Sequence, residues 1–161
     1  KFNISIDNIN NSDVSVSGTK LDRSGWKITS DDMENASTFP VTNIIDGDAD
    51  TYWEGTKNTK SSIIVDMGQK QDLKGLSYRF KNARYQGAPS NFQIYTSQDG
   101  KNWSDYGSAG TYTYGSYYNI DKEFGINFYV PISCRYFKMQ VTYSMSSTSY
   151  GAKINEINAQ K

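Results

Sequence analysis

The sequence predicts an all-β fold, a single domain built as a β-sandwich, and three observations lead to this prediction. Short apolar or alternating runs recur along the 161 residues, turn-forming residues separate them, and no stretch has the clear 3.6-residue period of a helix. Tyrosine and phenylalanine are abundant, with 13 and 7 copies, and half-buried strands accommodate aromatic side chains well. A chain of this length can bury one core without dividing into two.

Each predicted strand is a run of strand length bounded by Gly, Asn, Asp or Ser. In chain order these runs are residues 4–6, 14–16, 62–67, 76–80, 91–96, 126–130 and 136–141. Asp99-Gly100 predicts a tight hairpin after the fifth run, because Asp-Gly readily adopts the positive φ angles of such turns. Two long connections, 22–40 and 107–121, are expected to carry function. The second connection contains Tyr112, Tyr114, Tyr117 and Tyr118.

Charge and composition exclude several classes of function. The 17 basic and 17 acidic residues cancel, which argues against a nucleic-acid partner, since that partner normally requires a basic face. The chain has no histidine, so Ser/His/Asp catalysis, Cys/His catalysis and histidine-rich metal sites are all excluded. Cys134 is the one cysteine, so it has no disulfide partner within the chain and is predicted to be a small buried residue.

An acidic turn is the strongest local motif. Residues 46–51 (Asp-Gly-Asp-Ala-Asp-Thr) place three carboxylates and a hydroxyl in six positions, and the glycine permits a sharp bend. Oxygen-rich, tightly curved backbone is what a hard cation such as calcium requires. The turn is not an EF-hand, because the glutamate expected at the twelfth loop position is absent. Taken alone, the motif leaves two alternatives open, a calcium site and an ordinary solvated Asp-Gly turn.

The wider sequence resembles the discoidin family, the coagulation factor V/VIII type C domains, to which the family 32 carbohydrate-binding modules belong. The resemblance rests on an ordered set of segments that covers residues 24 to 159. Those segments are Asp46-Gly47, Thr51-Tyr52-Trp53, residues 64–68, 75–78, 94–103 and 135–139, and Ile154-Asn155-Glu156-Ile157. It implies a β-sandwich jelly roll with galactose-binding-domain-like architecture. Residues 21–161 would form the discoidin-type binding domain, and residues 1–20 an N-terminal strand or linker from an upstream region of a longer protein.

The resemblance also implies a structural calcium ion that links the acidic turn to the last strand. Its ligands would be backbone oxygens of Asn43, Asp48 and Asn155, the side chains of Asp46 and Glu156, and the carbonyl and hydroxyl of Thr51. Such an ion stabilises a fold by joining segments that are distant in sequence. Trp53 and Trp103 occupy positions that are normally in the core, where each indole N–H is expected to be paired.

Ligands of the family bind among loops at one end of the sandwich, where an aromatic ring faces the sugar and polar side chains bond its hydroxyls. Glu54 follows Trp53 where the galactose-binding members commonly have histidine, and residues 80–87 also depart from their pattern. The residues expected to contact a ligand are Glu54, Asn82, Arg84, Tyr85, Gln86 and Tyr150. For Arg84 the alternative is an ordinary solvated surface charge.

These inferences favour a non-catalytic, calcium-stabilised carbohydrate-binding module of an extracellular or cell-surface protein that captures glycans. Bacterial surface lipoproteins carry modules with a lead-in similar to residues 24–29. The expected partner is an oligosaccharide or polysaccharide, and the module is expected to be monomeric within a larger protein. The alternative is an adhesion domain that binds a protein or phospholipid surface, although zero net charge disfavours membrane insertion. An enzyme is the weakest hypothesis, because the densest acidic cluster is better suited to calcium.

Overall fold

The computed structural model describes residues 4–7, 16, 18–31, 39–58, 60–110 and 118–161. Within these ranges the chain forms nine strands and one short 3₁₀ helix at Val41–Ile45. The strands are β1 Ile4–Asp7, β2 Lys27–Ser30, β3 Trp53–Glu54, β4 Ser61–Arg84, β5 Pro89–Ser97, β6 Ser104–Gly110, β7 Tyr118–Ser144, β8 Lys153–Ile154 and β9 Glu156–Gln160. The all-β prediction is confirmed, and in the described part of the chain no helix is long and apolar enough to cross a membrane.

The two long strands β4 and β7 pair antiparallel along most of their length, with register shifts between residues 66 and 75 of β4. On one side of these shifts, β2, β4, β7, β5 and β6 lie side by side in that order. On the other side, β9 pairs with residues 75–79 of β4 and β1 pairs with residues 125–128 of β7. Each long strand therefore contributes to both layers of the sandwich.

Alternation along the strands places the core between the layers. Ile63 and Val65 point inward from the first half of β4, and Tyr78 and Phe80 do so from the second half; all four are fully buried. Tyr78 stacks on Phe124 with ring centroids 5.3 Å apart, and it meets Phe92 of β5 edge-on at 5.8 Å. These aromatic contacts link strands from both layers.

The two tryptophans in question differ in their surroundings. Trp53 is fully buried, as predicted, but its indole N–H has no hydrogen-bond partner among the described residues. Trp103 is only half-buried, so its prediction as a core residue is wrong. Its ring meets Tyr136 edge-on at 6.5 Å, and Nζ of Lys138 lies 4.7 Å from the ring centroid. Trp103 therefore packs on the face of the sheet, with a cation over its ring, and not in the core.

The remaining predictions about strands and connections have different outcomes. The runs 62–67 and 76–80 belong to one continuous strand, and so do the runs 126–130 and 136–141. The Asp99-Gly100 hairpin between β5 and β6 is confirmed, with φ of +73° at Gly100. Tyr118 begins β7. The remaining tyrosines of the second long connection, Tyr112, Tyr114 and Tyr117, lie outside the described residues, as does most of the run 14–16.

Antiparallel pairing brings several connections to one end of the sandwich. We call this the loop end and define it as residues 39–58, 60, 81–89 and 144–156. Strands β3 and β8 lie within it and pair with each other, Trp53 opposite Ile154 and Glu54 opposite Lys153. β1 pairs with β7, Ile4 opposite Phe128, and the assignment of residues 1–20 to an upstream region stays a prediction.

Cys134 is fully buried in β7, and burial raises the pKa of its thiol, with a further contribution from the charge of Asp72. A pKa raised from 9.0 to about 12 lowers the thiolate population roughly 1,000-fold at mildly alkaline pH. We therefore expect Ellman's reagent to leave the native protein unlabelled and to label one thiol per chain after unfolding in guanidinium chloride. Rapid labelling of the folded protein would contradict this placement.

Candidate functional site

The acidic turn follows the 3₁₀ helix and gathers oxygen atoms around the side chain of Thr51. The Thr51 hydroxyl lies 2.6 Å from Oδ2 of Asp46 and 3.0 Å from the carbonyl oxygen of Asp48. The carbonyl oxygen of Asn43 lies 3.4 Å from the same hydroxyl. The backbone N–H of Asp48 donates to Oδ1 of Asp46 at 2.8 Å, which fixes the bend. The sequence predicted that these four residues act together, and the structure brings them together.

The other two predicted metal residues, Asn155 and Glu156, lie where β8 ends and β9 begins. The Asn155 amide donates to the carbonyl of Ala49 at 2.9 Å, and its oxygen accepts from the backbone N–H of Lys81 at 2.8 Å. Oε1 of Glu156 accepts from Arg23 at 2.7 Å. Arg23 also donates to the carbonyl of Ile44, at 3.2 Å, and to that of Ile157, at 2.9 Å. This arginine, which the sequence interpretation missed, ties the 3₁₀ helix to β9.

The second carboxylate oxygen of Glu156 is buried and has no hydrogen-bond partner among the described residues. Burial raises the pKa of Glu156; Arg23 opposes that effect, and the nearby carboxylate of Asp46 adds to it. A buried carboxylate oxygen with no donor, beside a second carboxylate, is an arrangement that a cation would stabilise.

The donor set near Glu156 contains only oxygen atoms. No three acidic or cysteine side chains converge in the part of the chain that the structure describes. A cation here would therefore need backbone carbonyls and a hydroxyl beside the two carboxylates. Oxygen donors of this mixed kind suit calcium, which accepts carbonyl as well as carboxylate ligands. The residues present thus fit the ion that the sequence resemblance implies.

A second cluster occupies the loop end, where β3 and β8 meet. Oε2 of Glu54 accepts from the backbone N–H of Gly151 at 3.1 Å. Opposite Glu54, the ammonium of Lys153 lies 4.6 Å from the ring centroid of Tyr150 and 5.2 Å from that of Tyr52. Tyr52 in turn stacks on Phe39, with centroids 4.6 Å apart. Two tyrosine rings thus flank a cation that lies beside a carboxylate. Glu54, Lys153, Tyr52 and Tyr150 are called the Glu54–Lys153 cluster below.

The electrostatics of this cluster reflect its burial. Desolvation lowers the pKa of Lys153, against the opposing attraction of Glu54. Desolvation also raises the pKa of Tyr52, and the negative charge of Glu54 adds to that effect. Glu54 and Lys153 are both nearly inaccessible, whereas Tyr150 is 36% exposed. The aromatic surface is therefore open to a ligand, and the two charges lie behind it.

The predicted contacts on the 82–86 segment have different environments. Arg84 is exposed, and its guanidinium lies 5.0 Å from the centroid of the Tyr118 ring. The Asn82 amide donates to the carbonyl of Gln86 at 3.3 Å, which closes the segment on itself. Gln86 is half-buried, and Tyr85 is half-buried with its ring against the core.

A cleft of about 400 Å³ lies between the acidic turn and the ends of β4 and β7. Tyr52, Asn82, Asn119 and Ile120 line it together with Lys81 and Asp50, which form an ion pair. Because Tyr52 belongs to both features, the cleft adjoins the Glu54–Lys153 cluster. The loop end contains all six residues that the sequence predicts as ligand contacts, and their contact with a ligand stays a prediction: Glu54, Asn82, Arg84, Tyr85, Gln86 and Tyr150.

The sequence interpretation missed Tyr52 and Lys153. Alternation offered one signal: Trp53 points into the core, so its neighbour Tyr52 must point the other way. Lys153 carried no such signal, because a lysine beside Ile154 resembles an ordinary solvent-facing strand residue. Only the pairing of β3 with β8 brings Lys153 to Glu54.

The two layers that share long antiparallel strands, with an oxygen-lined turn at one end, define a β-sandwich of the galactose-binding-domain-like class. Residues 24–157 match the F5/8 type C domain family, and the chain belongs to this family. The resemblance drawn from the sequence is thereby confirmed. Among curated proteins, none matches the sequence.

Solved structures with similar folds include three bacterial modules. A family 32 carbohydrate-binding module of Clostridium perfringens NanJ, solved with galactose, is 18% identical with a TM-score of 0.73, covering 89% of this chain and 98% of that one. The Clostridium perfringens module CpGH89CBM32-5, solved with GalNAc-β-1,3-galactose, is 15% identical with a TM-score of 0.75, covering 89% and 100%. The C-terminal domain of a chitobiase from Bacteroides fragilis is 20% identical with a TM-score of 0.66, covering 88% and 97%.

Proposed function

We propose that this chain is a non-catalytic carbohydrate-binding module of an extracellular or cell-surface protein, stabilised by a structural calcium ion. The Glu54–Lys153 cluster carries this proposal, because it combines an exposed aromatic ring with one donor and one acceptor. A sugar presents an apolar C–H face and hydroxyl groups at its edge, and this combination complements both. The sugar complexes of the two similar clostridial modules support the same class of ligand.

Calcium is the proposed cofactor, and its ligands would come from two parts of the chain. The turn would supply oxygens of Asn43, Asp46, Asp48 and Thr51, and the junction of β8 with β9 would supply those of Asn155 and Glu156. The buried oxygen of Glu156, which has no hydrogen-bond partner among the described residues, supports this proposal. The ion would hold the turn against the sandwich, and it would take no part in contacts with the glycan.

The engagement of the acidic side chains supports a non-catalytic role. Glycoside hydrolysis requires two carboxylates on either side of the scissile bond. At the loop end, Asp50 is paired with Lys81, and Glu54 is held by Gly151. Asp46 and Glu156 would be occupied by calcium in this proposal. A module of this kind binds its glycan and leaves the chemistry to other domains.

A glycan array probed with the purified chain, once with calcium and once with a chelator, tests the proposal. We expect binding to a limited set of glycans and no hydrolysis of chromogenic glycosides by the same preparation. Anionic phospholipid vesicles test the alternative adhesion function, which the exposed Tyr129 and Val130 at the opposite end favour, at 66% and 70% exposure. Binding to vesicles or to a partner protein without any glycan hit would contradict the proposal, and glycoside turnover would contradict the non-catalytic role.

A further inference from the structure

We infer that Glu54 and Lys153 act as a donor–acceptor pair that binds two hydroxyl groups of one neutral sugar and disfavours sugars that carry a carboxylate. The Lys153 ammonium would donate to one hydroxyl, and the free oxygen of Glu54 would accept from a second. The ring of Tyr150 would cover the apolar face of the same sugar. This inference rests on the proposed glycan-binding function and specifies the class of ligand and the residues that select it.

The pairing of β3 with β8 fixes the spacing of the two groups. Glu54 and Lys153 are directly opposite each other, a relation in which side chains share one face with Cβ atoms about 5 Å apart. No ion pair joins them within the described chain. Their opposite charges are therefore neighbours without a direct ion pair, and each would take its own hydrogen bond from a ligand.

Both groups retain free hydrogen-bonding capacity. Glu54 accepts one bond at Oε2, from Gly151, and the described residues supply none to its other oxygen. The ammonium of Lys153 contacts two tyrosine rings but has no oxygen acceptor among the described residues. Glu54 and Lys153 are 8% and 9% exposed, so each side chain keeps a small accessible surface. A ligand hydroxyl would reach each group through that surface, next to the exposed ring of Tyr150.

The pair is also held in place before a ligand arrives. The Lys153 stem packs so closely on Gly87 that a Cβ at that glycine would lie 2.8 Å from Cγ of the lysine. The rings of Tyr52 and Tyr150 fix the direction of the ammonium, although cation–π contact leaves its N–H groups unsatisfied. Burial without an acceptor disfavours the charged lysine, and a ligand oxygen would relieve this cost.

The nearly balanced charge of the pair favours neutral ligands. A sugar hydroxyl can both donate and accept, so it suits either member. A carboxylate that reached Lys153 would also approach Glu54, and the two negative charges would repel each other in a partly desolvated site. The neighbouring charges of Lys81 and Asp50 already neutralise each other and do not alter this balance.

Ligand-detected NMR titrations with two matched pairs, galactose with galacturonic acid and glucose with glucuronic acid, test the inference. N-acetylgalactosamine and N-acetylglucosamine extend the neutral set. We expect at least one neutral sugar to bind and its uronic acid to bind at least ~10-fold more weakly. Lys153→Met should weaken neutral-sugar binding by ~10-fold or more, and Lys153→Arg should restore part of it. Glu54→Gln should reduce the difference in affinity between a neutral sugar and its uronic acid.

Lys101→Met, an exposed substitution in the hairpin at the opposite end, is the matched control and should bind as the unmodified protein does. The melting temperature of each variant separates loss of binding from loss of folding. A uronic acid that binds as tightly as its neutral partner overturns the inference, and so does a folded Lys153→Met protein with unchanged affinity. Failure of all six sugars to bind also overturns the inference. If the glycan array still showed binding to longer glycans, the proposed glycan-binding function would stand. An array without any binding would contradict both the inference and the proposed function.

Discussion

Removal of calcium with a chelator is expected to lower the melting temperature of this domain by roughly 5–10 °C. An ion present at about 100 times its dissociation constant adds about 2.7 kcal/mol to the free energy of unfolding, and each 1 kcal/mol changes the melting temperature of a domain this size by about 2–4 °C. The turn and Glu156 are more than a hundred positions apart in sequence, and the ion would link them in the folded state only. Differential scanning fluorimetry with and without chelator measures the change.

Glu156→Gln separates this mechanism from a general effect of the chelator. The substitution keeps the side chain's shape, removes one carboxylate from the proposed site and weakens the bond to Arg23. We expect the variant to melt at a lower temperature and to be insensitive to chelation. Glu123→Gln is the matched control, because Glu123 lies on β7, outside the proposed site, and forms an ion pair with Lys20. Chelation should change the melting temperature of this variant as much as that of the unmodified protein. An unmodified protein with the same melting temperature in calcium and in chelator would contradict the assignment of the ion.

The fold could be predicted from sequence because its determinants are local. Alternation marked which side chains of residues 62–67 and 76–80 face the core, and Asp99-Gly100 marked a hairpin. The continuity of β4 through its register shifts could not be predicted in this way. Exposed polar residues and Gly68, with φ of +82°, interrupt the apolar pattern and resemble the end of a strand. Pairing with β7 stops after Asp66 and resumes at Gln71, opposite Cys134, so the same partner strand continues on both sides of the interruption.

The candidate site could be predicted only where local chemistry or family resemblance marked its residues. The acidic residues of the turn indicated a cluster of oxygen atoms, and the family resemblance added Glu156 to the predicted metal ligands. Arg23 and Lys153 had no local signal, because their roles depend on partners far along the chain. Arg23 contacts residues 133 and 134 positions away, and Lys153 meets its partner only when two-residue strands pair. Trp103 shows the same limit, since Lys138, which covers its ring, comes from β7, a distant part of the chain.

Substitution of Gly151 by alanine is expected to destabilise the domain by about 3 kcal/mol and to abolish glycan binding. A Cβ at position 151 would overlap the backbone carbonyl group of Gly55, which cannot rotate away as a side chain can. The N–H of Gly151 also donates to Glu54, and Gly55 donates to the carbonyl of Ala152 at 2.8 Å. Relief of the overlap would separate β3 from β8, and with them Glu54 from Lys153.

Thermal melting and glycan-array binding measure the two effects, and the expected drop in melting temperature is roughly 6–12 °C. Gly25→Ala is the matched control, because a Cβ there would meet no atom within 4 Å and its backbone lies outside the positive-φ region. That variant should stay within about 0.5 kcal/mol of the unmodified protein and retain glycan binding. The same melting temperature and the same glycan binding for Gly151→Ala and Gly25→Ala would contradict this prediction. The close approach of residues 55 and 151 would then not be needed to hold Glu54 beside Lys153. The expected contrast between two identical chemical changes therefore tests the geometry of the loop end directly, independently of which glycan the site selects.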